Sequence, residues 1–369
     1  MRIGIDGREL INQRTGVGRY LSALCTEWLK SSKQLHEFFL YTPRSVHNIA
    51  ELGSPFDNIP SQVFTHRTAE GTGNSWWEQV ALPRIVTADN VDVFFAPSYS
   101  APLRLRTPYV VTMHDISFSA HPEWFKWREG LRRRWLADWS MKQASSIITV
   151  SNFSKTEIMR WFDISEDRIH VIPHGIDTEL KKDSSERENL ILYVGSIFNR
   201  RNLPTLIHAF SKVVSAVKKA RLTIVGANRT YPRQDLHAMI AQHNIQQHVQ
   251  LETYVSDNAL RTLYKRAKVF VFLSEYEGFG LPPLEALTAG VPTIVGDNSV
   301  AREIYGNASL FVQPHDVNAV ATAMINLLTD DPLRQRQTLN AAPILESFNW
   351  ATAAANTLEL LEHTAQIKQ

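Results

Sequence analysis

The stretch VFVFLSEYEGFGLPPLEALTAG, Val269 to Gly290, combines a short apolar run, a glycine-rich turn and a helical pattern. Apolar runs of this length, ended by turn residues, are typical of buried strands. Prolines at the start of the next segment and Gly290 at its end are typical of a short helix. A strand that leads directly into a helix is the repeating unit of parallel sheets, so this stretch predicts an α/β fold.

The same alternation of apolar runs and helical patterns continues along the chain. It predicts two doubly wound parallel sheets, one in each half of the chain. In the first half the predicted strands are residues 2–6, 37–42, 91–97, 109–115, 146–151 and 169–173. In the second half they are residues 190–196, 221–226, 249–255, 269–274, 292–296 and 309–312.

A length of 369 residues suits two domains. The polar run DTELKKDSSEREN, residues 177–189, has no apolar period and predicts a linker. We therefore divide the chain into an N-terminal domain of residues 1–177, a linker of residues 178–189 and a C-terminal domain of residues 190–345. Residues 346–369 predict an amphipathic helix, which we expect to pack back on the N-terminal domain.

Composition excludes several classes of protein. The formal net charge of +2 does not indicate nucleic-acid binding. The single cysteine, Cys25, excludes a disulfide framework and a multi-cysteine metal site, and it fits a reducing compartment. The charged start MRIGIDGREL does not resemble a signal peptide, and no run of about 18 apolar residues is present. We therefore expect a cytoplasmic protein.

Ligands of doubly wound folds bind beyond the carboxyl ends of the strands. The loop GRELINQRTGVGRY after the first strand carries Gly16 and Gly18, and glycines there let backbone N–H groups approach a phosphate closely. Packing in a tight turn is the alternative. His114 and Asp115 end another predicted strand, where a histidine can donate to a sugar hydroxyl or be an ordinary loop residue.

Arg200 and Arg201 precede a predicted helix in GSIFNRRNLPTLIHAF. Two guanidinium groups at that place meet the positive end of the helix dipole, which is unfavourable. A bound anion such as a diphosphate would relieve the conflict. Solvated surface arginines are the alternative.

Glu277 and Glu285 are separated by seven residues in the opening stretch. We expect Glu285 in the first turn of the helix, where the helix dipole alone favours a carboxylate. Glu277 lies in the glycine turn, where we expect that a ligand explains it. A glycosidase acid and base are an alternative, but the arginine pair and both glycine loops suit a phosphorylated ligand better.

These segments resemble a known family. The runs SEYEGFGLPPLEALTAGVPTIV, GSIFNRRNLPTLIHAF, VIPHGID and TGVGRY are similar to those of the retaining GT-B glycosyltransferases of family 4, whose E-x7-E motif matches Glu277 and Glu285. The resemblance covers nearly the whole chain. It implies an α/β fold of two Rossmann-like doubly wound parallel-sheet domains that face a central cleft. The N-terminal domain would bind the acceptor and the C-terminal domain the sugar nucleotide.

The resemblance also implies roles for single residues. Glu277 would contact hydroxyl groups of the donor sugar, and Glu285 would bind the nucleotide ribose. Arg200 and Arg201 would hold the diphosphate, and His114 would contact the sugar near the leaving bond. His114, Glu277, Arg200 and Arg201 are therefore the expected catalytic residues.

The implied donor site is larger than this set. It comprises Gly16, Gly18, Gly195, Ser196, Arg200, Arg201, Tyr254, Val255, Glu277, Gly278, Phe279, Gly280, Leu281 and Glu285. Asp115, Arg128, Arg132 and Arg133 are assigned to the acceptor or to a membrane. The chain departs from the family pattern at Ser196, where some members have arginine, at His174, where asparagine is usual, and at Glu252–Thr253. These departures bear on the donor more than on the reaction.

The sequence contains no D-x-D motif that would hold a metal on the diphosphate. We therefore expect a retaining hexosyltransferase that needs no metal or other cofactor, in which guanidinium groups and helix-terminal amides stabilise the leaving diphosphate. The resemblance implies front-face attack by the acceptor. It does not favour a covalent sugar on Glu277.

The start GIDGRELINQRTGVGRY looks like bacterial mannosyltransferases of surface polysaccharide pathways. This resemblance favours GDP-mannose as donor over UDP-sugars, and a lipid-linked oligosaccharide or lipopolysaccharide precursor as acceptor. Two other classes stay open. A sugar-nucleotide hydrolase or epimerase would consume donor without acceptor, and a non-catalytic nucleotide-sugar-binding protein would bind nucleotide without turnover.

The segment PEWFKWREGLRRRWLADW, residues 122–139, places four tryptophans and Leu131 at roughly helical spacing among basic residues. A basic aromatic helix is typical of contact with an anionic membrane. A core stripe with solvated arginines is the alternative. Membrane contact would place the protein at the inner face of the membrane as a peripheral protein.

Overall fold

Apolar strand residues build two parallel sheets in the computed structural model, which describes residues 1–11, 16–31, 36–45, 63–177 and 187–366. The chain divides into two units. The first unit contains residues Met1–Ala120, Trp127–Gly175 and Asn349–Gln369. The second unit contains residues His121–Lys126 and Ile176–Phe348. Residues 178–186 of the predicted linker lie outside the described residues.

The first sheet has the strand order β3-β2-β1-β4-β5-β6-β7 with parallel pairing throughout. Its strands are β1 (Arg2–Asp6), β2 (Glu37–Thr42), β3 (Phe64–Thr68), β4 (Val93–Ala96), β5 (Tyr109–Met113), β6 (Ser146–Thr149) and β7 (Ile169–Val171).

The second sheet has the order β10-β9-β8-β11-β12-β13 and is also parallel. Its strands are β8 (Leu190–Val194), β9 (Arg221–Val225), β10 (Val249–Glu252), β11 (Val269–Phe272), β12 (Thr293–Gly296) and β13 (Ser309–Val312).

Every strand predicted from the sequence is present, within three residues at each end, and the predicted α/β fold of two parallel sheets is confirmed. The sequence prediction missed β3. Four of its five residues, FTHRT, are polar and half-buried, because β3 is an edge strand that pairs only with β2 among the described strands. A short polar edge strand lacks the continuous apolar run by which buried parallel strands are recognised.

Helices connect the strands of both sheets. In the first unit they are α1 (Gly16–Ser31), α2 (Leu82–Ala88), α3 (Ser117–Ala120), α4 (Trp127–Gln143) and α5 (Asn152–Trp161). In the second unit they are α6 (Leu203–Ala216), α7 (Leu236–Gln242), α8 (Asp257–Arg266), α9 (Leu281–Thr288), α10 (Ser299–Tyr305), α11 (Val317–Thr329) and α12 (Asp331–Glu346). The last helix, α13 (Trp350–Gln366), belongs to the first unit. No helix among the residues described above is long and apolar enough to cross a bilayer.

Helix α13 packs on α1 in the core of the first unit. The indole Nε1 of Trp28 in α1 donates to the carbonyl oxygen of Ala354 at 2.9 Å, and the Trp28 ring stacks on Phe38 at 5.3 Å. A Cβ atom on Gly175 would collide with the backbone of Trp350, so the absence of a side chain at Gly175 lets α13 begin there.

The direction of strand order reverses in each sheet beside its first strand. The order reverses between β1 and β4 in the first sheet, and between β8 and β11 in the second. Ligands of doubly wound folds bind at such switch points, beyond the carboxyl ends of the strands. The loops that follow β8 and β11 carry the arginine pair and the two-glutamate motif.

Candidate functional site

Two loops of the second unit meet at the carboxyl ends of neighbouring strands β8 and β11. The loop after β8 carries Gly195 to Arg201, and the loop after β11 carries Ser274 to Gly280. The backbone N–H of Glu275 donates to the carbonyl oxygen of Arg200 at 2.9 Å, which ties the two loops together. The arginine pair and the loop that carries Glu277 are therefore neighbours in space.

Glu277 is held by side chains from both loops. Its Oε1 accepts from Nε of Arg201 at 2.9 Å and from Oγ of Ser274 at 2.8 Å, and Nε of Arg200 lies 3.9 Å from the same oxygen. These contacts correct two expectations. Glu277 does not need a ligand to explain its position, and the anion that faces the two arginines before α6 is the Glu277 carboxylate.

Arg201 is buried against aromatic rings. Its guanidinium carbon lies 4.8 Å from the ring centroid of Phe272, and its NH1 donates to the carbonyl oxygen of Ser196 at 2.8 Å. Burial acts to lower the pKa of Arg201, but Glu277 and Tyr193 together outweigh that effect and the pKa is raised, so Arg201 stays charged. Gly195 has φ of +136°, and a Cβ atom there would lie 2.5 Å from NH1 of Arg201. Glycine at this position leaves room for the guanidinium group.

Glu285 lies in the second turn of α9, so the expectation that it occupies the first turn is wrong. The helix begins only at Leu281, because Gly280 adopts φ of +95° and is still outside it. Glu285 is 6% exposed, and its Oε2 accepts from the hydroxyl of Tyr264 at 2.9 Å. A tyrosine from α8, rather than the helix dipole, therefore fixes this carboxylate.

The turn from Glu277 to Gly280 is fixed by Tyr305 of α10. The Tyr305 hydroxyl donates to the carbonyl oxygen of Gly280 at 2.7 Å, and a Cβ atom on Gly280 would collide with that hydroxyl. Phe279 is buried edge-on against Phe348 at 5.2 Å, beside Gly278. A cavity of about 10 Å³ beside Glu277 and Tyr305 has room for about one water molecule.

Two further residues of the expected donor site lie in the loop after β10. Tyr254 is 61% exposed and Val255 is half-buried. Both follow a strand of the same sheet.

His114 follows β5 in the first unit. Its Nε2 lies 2.9 Å from the carbonyl oxygen of Pro97, which can only accept, so Nε2 carries the proton and Nδ1 is the acceptor nitrogen of the neutral ring. The ring stacks on His174 at 5.2 Å and meets the edge of Tyr20 at 4.9 Å. Burial lowers the pKa of His114, which favours this neutral form.

Gly16 and Gly18 lie in the first turn of α1. A Cβ atom on Gly16 would meet nothing within 4 Å among the described residues, whereas Gly18 is buried. Close packing against the described residues therefore does not account for Gly16. Residues 12–15 of the same loop lie outside the described residues.

The residues assigned to acceptor or membrane all have contacts within the first unit. Oδ1 of Asp115 accepts from the backbone N–H of Ser117 at 3.0 Å at the start of α3. On α4, Arg133 pairs with Glu129 at 2.6 Å, NH1 of Arg132 donates to Oγ of Ser75 at 2.9 Å, and Arg128 lies over the Trp127 ring.

The structure thus groups the expected residues in two sets. The first unit holds Gly16, Gly18, His114, Asp115, Arg128, Arg132 and Arg133. The second unit holds Gly195, Ser196, Arg200, Arg201, Tyr254, Val255, Glu277, Gly278, Phe279, Gly280, Leu281 and Glu285. Sequence reasoning missed Ser274, Tyr264 and Tyr305, which hold the two glutamates and their turn. Ser274 closely follows β11, and residues beyond the carboxyl ends of strands are the ones that bind ligands in such folds, so its position was a signal. Neither tyrosine has a position of this kind.

Two family models match the chain. The model described as Glycosyltransferase Family 4 matches residues 14–180, and the model described as Glycosyl transferases group 1 matches residues 176–342. Together they span residues 14–342, which includes both switch points.

Similar proteins are named as mannosyltransferases. The chain is 29% identical over 279 residues to the O-antigen chain mannosyltransferase B of Escherichia coli, covering 72% of this chain and 73% of that protein. It is 29% identical over 253 residues to the O-antigen chain mannosyltransferase RfbU of Salmonella typhimurium, covering 69% of each.

A solved structure of Anabaena HepE in complex with UDP and glucose matches the fold. The TM-score is 0.76 at 19% identity, covering 98% of this chain and 99% of that chain. At this identity the likeness concerns the fold, and it confirms the two-domain α/β architecture.

Proposed function

The chain belongs to the glycosyltransferases that these two family models describe, which share the GT-B fold, and from this premise we propose that it transfers mannose from GDP-mannose to a glycan acceptor. The proposed transfer retains the anomeric configuration and needs no metal. The observation that carries the proposal is the contact of Glu277 with Arg201, beside Arg200, at the switch point of the second sheet.

The chemistry of transfer explains this set of charges. Cleavage of the bond between the sugar C1 and the diphosphate oxygen builds negative charge on the diphosphate. The guanidinium groups of Arg200 and Arg201 stabilise that charge in a largely buried place, where electrostatic interactions are strong. They supply the positive charge that a divalent cation would otherwise supply, which supports the proposed independence from metal.

Glu277 has a second role in this proposal. A carboxylate accepts hydrogen bonds from sugar hydroxyl groups, and the Ser274 and Arg201 contacts hold it in one orientation. The acceptor hydroxyl forms the new bond to C1 on the face from which the diphosphate leaves, and its proton passes to the leaving diphosphate oxygen. Glu285, fixed by Tyr264, is proposed to bind the ribose, and neutral His114 to accept from a sugar hydroxyl through Nδ1.

The donor and acceptor follow from the relatives. Both O-antigen chain mannosyltransferases support mannose as the sugar and an O-antigen or lipid-linked oligosaccharide precursor as acceptor. The HepE structure with UDP and glucose supports the alternative, a UDP-sugar.

A thermal-shift panel of GDP, UDP and ADP, with their sugars, tests the donor. A ligand that binds only the folded protein raises the melting temperature by mass action. We expect GDP and GDP-mannose to give the largest shift. A larger shift with UDP would move the donor to a UDP-sugar, and no shift with any of them at millimolar concentration would contradict a sugar-nucleotide enzyme.

Transfer itself is tested with labelled GDP-mannose and a polyprenyl-diphosphate oligosaccharide. We expect label in the acceptor product, with the same rate in excess EDTA. Loss of activity in EDTA that Mn²⁺ restores would contradict metal independence. Consumption of donor without acceptor would indicate a hydrolase or epimerase, and binding without turnover a non-catalytic protein.

We also propose that helix α4 contacts an anionic membrane. Trp127, Leu131, Trp135 and Trp139 follow each other at four-residue spacing along α4 and are 71%, 62%, 52% and 44% exposed. Their exposure excludes the alternative of a core stripe for this helix. A contiguous line of exposed large apolar side chains is unusual on a protein surface and is typical of an interaction site.

The charge of α4 favours a membrane over an apolar protein partner. The helix carries Arg128, Arg132, Arg133, Arg134 and Lys142 against two acidic residues, Glu129 and Asp138. Basic residues beside exposed tryptophans suit the interface of an anionic bilayer, where each basic residue contributes about 1 kcal/mol.

Flotation with vesicles tests the membrane contact. We expect binding to vesicles that contain phosphatidylglycerol, less binding at high salt, and little binding to phosphatidylcholine alone. The variant Trp135→Ser/Trp139→Ser should lose most of the binding, while Leu339→Ser, which removes a 75% exposed leucine of the second unit, should not. Equal flotation of both variants would contradict the proposal.

A further inference from the structure

Residues His121–Lys126, which we name the 121–126 strap, belong to the second unit although first-unit residues precede and follow them in sequence. The sequence pattern had placed Trp124 on the same helix as Trp127. It lies instead in a separate turn of 3-10 helix, Pro122–Trp124, before α4 begins. The strap therefore packs with the unit that holds Arg200 and Glu277.

The strap presents an aromatic pair to the second unit. The His121 ring stacks on the Trp124 ring at 3.9 Å with an interplanar angle of 13°. Both rings meet Tyr276 at a steep angle, at 5.2 Å and 6.3 Å between centroids. Tyr276 is buried and directly precedes Glu277, so the pair packs beside the glycine turn.

Trp124 also lies against Arg200. The guanidinium carbon of Arg200 lies 5.9 Å from the Trp124 ring and 4.8 Å from the Phe198 ring. The Arg200 side chain is 8% exposed, and its Nε lies 3.9 Å from Glu277. Trp124 is thus a wall of the pocket in which the Arg200 charge is held.

Aromatic faces hold a guanidinium group differently from a carboxylate. They attract its positive charge without using its N–H donors, and they exclude water from one side. Arg201 is held by hydrogen bonds as well as by a ring, since it donates to Glu277 and to the carbonyl oxygen of Ser196 and lies over Phe272. The contact with Trp124 fixes the place of the Arg200 guanidinium group without itself using an N–H donor.

We propose that the 121–126 strap is part of the donor site, and that Trp124, backed by His121, positions Arg200 for the diphosphate of a sugar nucleotide. The inference rests on the proposed function, since it takes a nucleotide diphosphate as the ligand. Trp124 is a positioning residue that acts through Arg200.

The test compares nucleotide affinities of matched tryptophan variants by calorimetry. Trp124→Ala should raise the Kd of GDP about tenfold, because the guanidinium loses its aromatic wall. The Kd of GMP should change less than twofold, since the monophosphate lacks the second phosphate. Trp76→Ala, which removes a 58% exposed tryptophan of the first unit, should change neither Kd.

Two further variants separate positioning from folding. Trp124→Phe keeps a ring beside Arg200 and should restore most of the GDP affinity. His121→Ala removes the stacking partner of Trp124 and should give an intermediate loss. If Trp124→Ala lacks a folded melting transition, these two variants carry the test.

The outcomes distinguish a failure of the strap inference from a failure of the proposed function. Equal weakening of GDP and GMP in Trp124→Ala, or no weakening of either, overturns the role of the strap while nucleotide binding by the unaltered protein still stands. Failure of the unaltered protein to bind any nucleoside diphosphate overturns the proposed function, and the strap inference with it.

Discussion

At the scale of single residues, the Glu277–Arg201 contact pairs two opposite charges. We assign the Glu277 carboxylate to the sugar and the Arg201 guanidinium group to the diphosphate. Nε of Arg201 lies 2.9 Å from Oε1 of Glu277, and both side chains are nearly buried. A buried charge is costly unless it is paired, so each residue serves as the partner of the other in the absence of ligand. Binding of a diphosphate would then compete with Glu277 for Arg201.

The variant Glu277→Gln tests this competition. We expect transfer to fall by roughly 10²–10³, because the carboxylate no longer binds the sugar in the transition state. The Kd of GDP should stay the same or fall, because Arg201 loses its internal anion. Transfer assays and calorimetry measure the two effects, and a large rise in the GDP Kd would contradict the competition.

Asp6, at the end of β1, lies in a buried charge network. Its Oδ2 is 2.8 Å from NH2 of Arg8, which also pairs with Glu78, and Oγ of Ser100 donates to Glu78 at 2.6 Å. Burial raises the pKa of Asp6 from 3.8 to about 6, although Arg8 opposes the shift. Burial also acts to raise the pKa of Glu78, but Arg8 and hydrogen bonds from Ser100 and Gln79 together outweigh it, and that pKa is lowered.

This network predicts a pH-dependent stability. Between pH 3.8 and about pH 6 the folded protein holds a proton on Asp6 that the unfolded chain has lost. The stabilisation is fully present below pH 3.8 and is lost as the pH rises to about 6, an effect on the order of 3 kcal/mol. Asp6→Asn cannot titrate, so the variant should lose less stability than the unaltered protein between pH 4.5 and pH 7.5.

Melting temperatures of both proteins across this pH range measure the effect. Arg8→Lys, which keeps the positive charge, is the control and should keep the pH dependence. If the melting temperatures of Asp6→Asn and of the unaltered protein change equally with pH, Asp6 has no raised pKa.

At the scale of elements, helix α13 completes the core of the first unit from the far end of the chain. Leu361 is fully buried, and Trp28 on α1 donates to the Ala354 carbonyl. The apolar face of α13 is therefore an internal surface of the first unit.

Leu361→Ala should lower the free energy of unfolding of the first unit by about 2–5 kcal/mol, because it leaves a cavity between α13 and α1. Glu359→Ala, an exposed change on the same helix, should alter it by less than about 0.5 kcal/mol. Denaturant unfolding measures both variants. Similar small effects would mean that α13 is not part of the core.

At the scale of the whole molecule, the chain crosses between its two units more than once. The chain enters the second unit at residue 121 and returns to the first at residue 127. It enters the second unit again at residue 176 and returns to the first at residue 349. Sequence position alone therefore does not assign a segment to a unit. The segments that a ligand protects have to be identified in each unit by measurement.

Hydrogen exchange with and without GDP locates them. We expect protection at residues 195–205 and 274–285, where the arginines and the glycine turn lie. Helix α12 at residues 331–346 should show no change. Protection spread evenly over both sheets would contradict a ligand bound at the switch point.

The sequence by itself determined the alternation of strands and helices, the two parallel sheets and the Glu277–Glu285 motif. These features are local, since buried parallel strands are continuous apolar runs, and glycine and proline mark the turns and helix ends between them. Strand β3 was not predicted because a half-buried edge strand has no continuous apolar run. The resemblance to family 4 rested on the same local motifs.

Only the tertiary structure decided which side chains hold the motif and which tryptophans face water. Arg201 and Glu277 are 76 residues apart, Tyr264 and Glu285 are 21 apart, and Trp28 and Ala354 are 326 apart. Apolar residues at helical spacing can form a buried stripe or an exposed one. The spacing therefore could not predict that the tryptophans of α4 are exposed, or that Trp124 lies outside this helix. Such contacts depend on how distant segments pack, because the energy of a buried charge or ring is set by its neighbours in space.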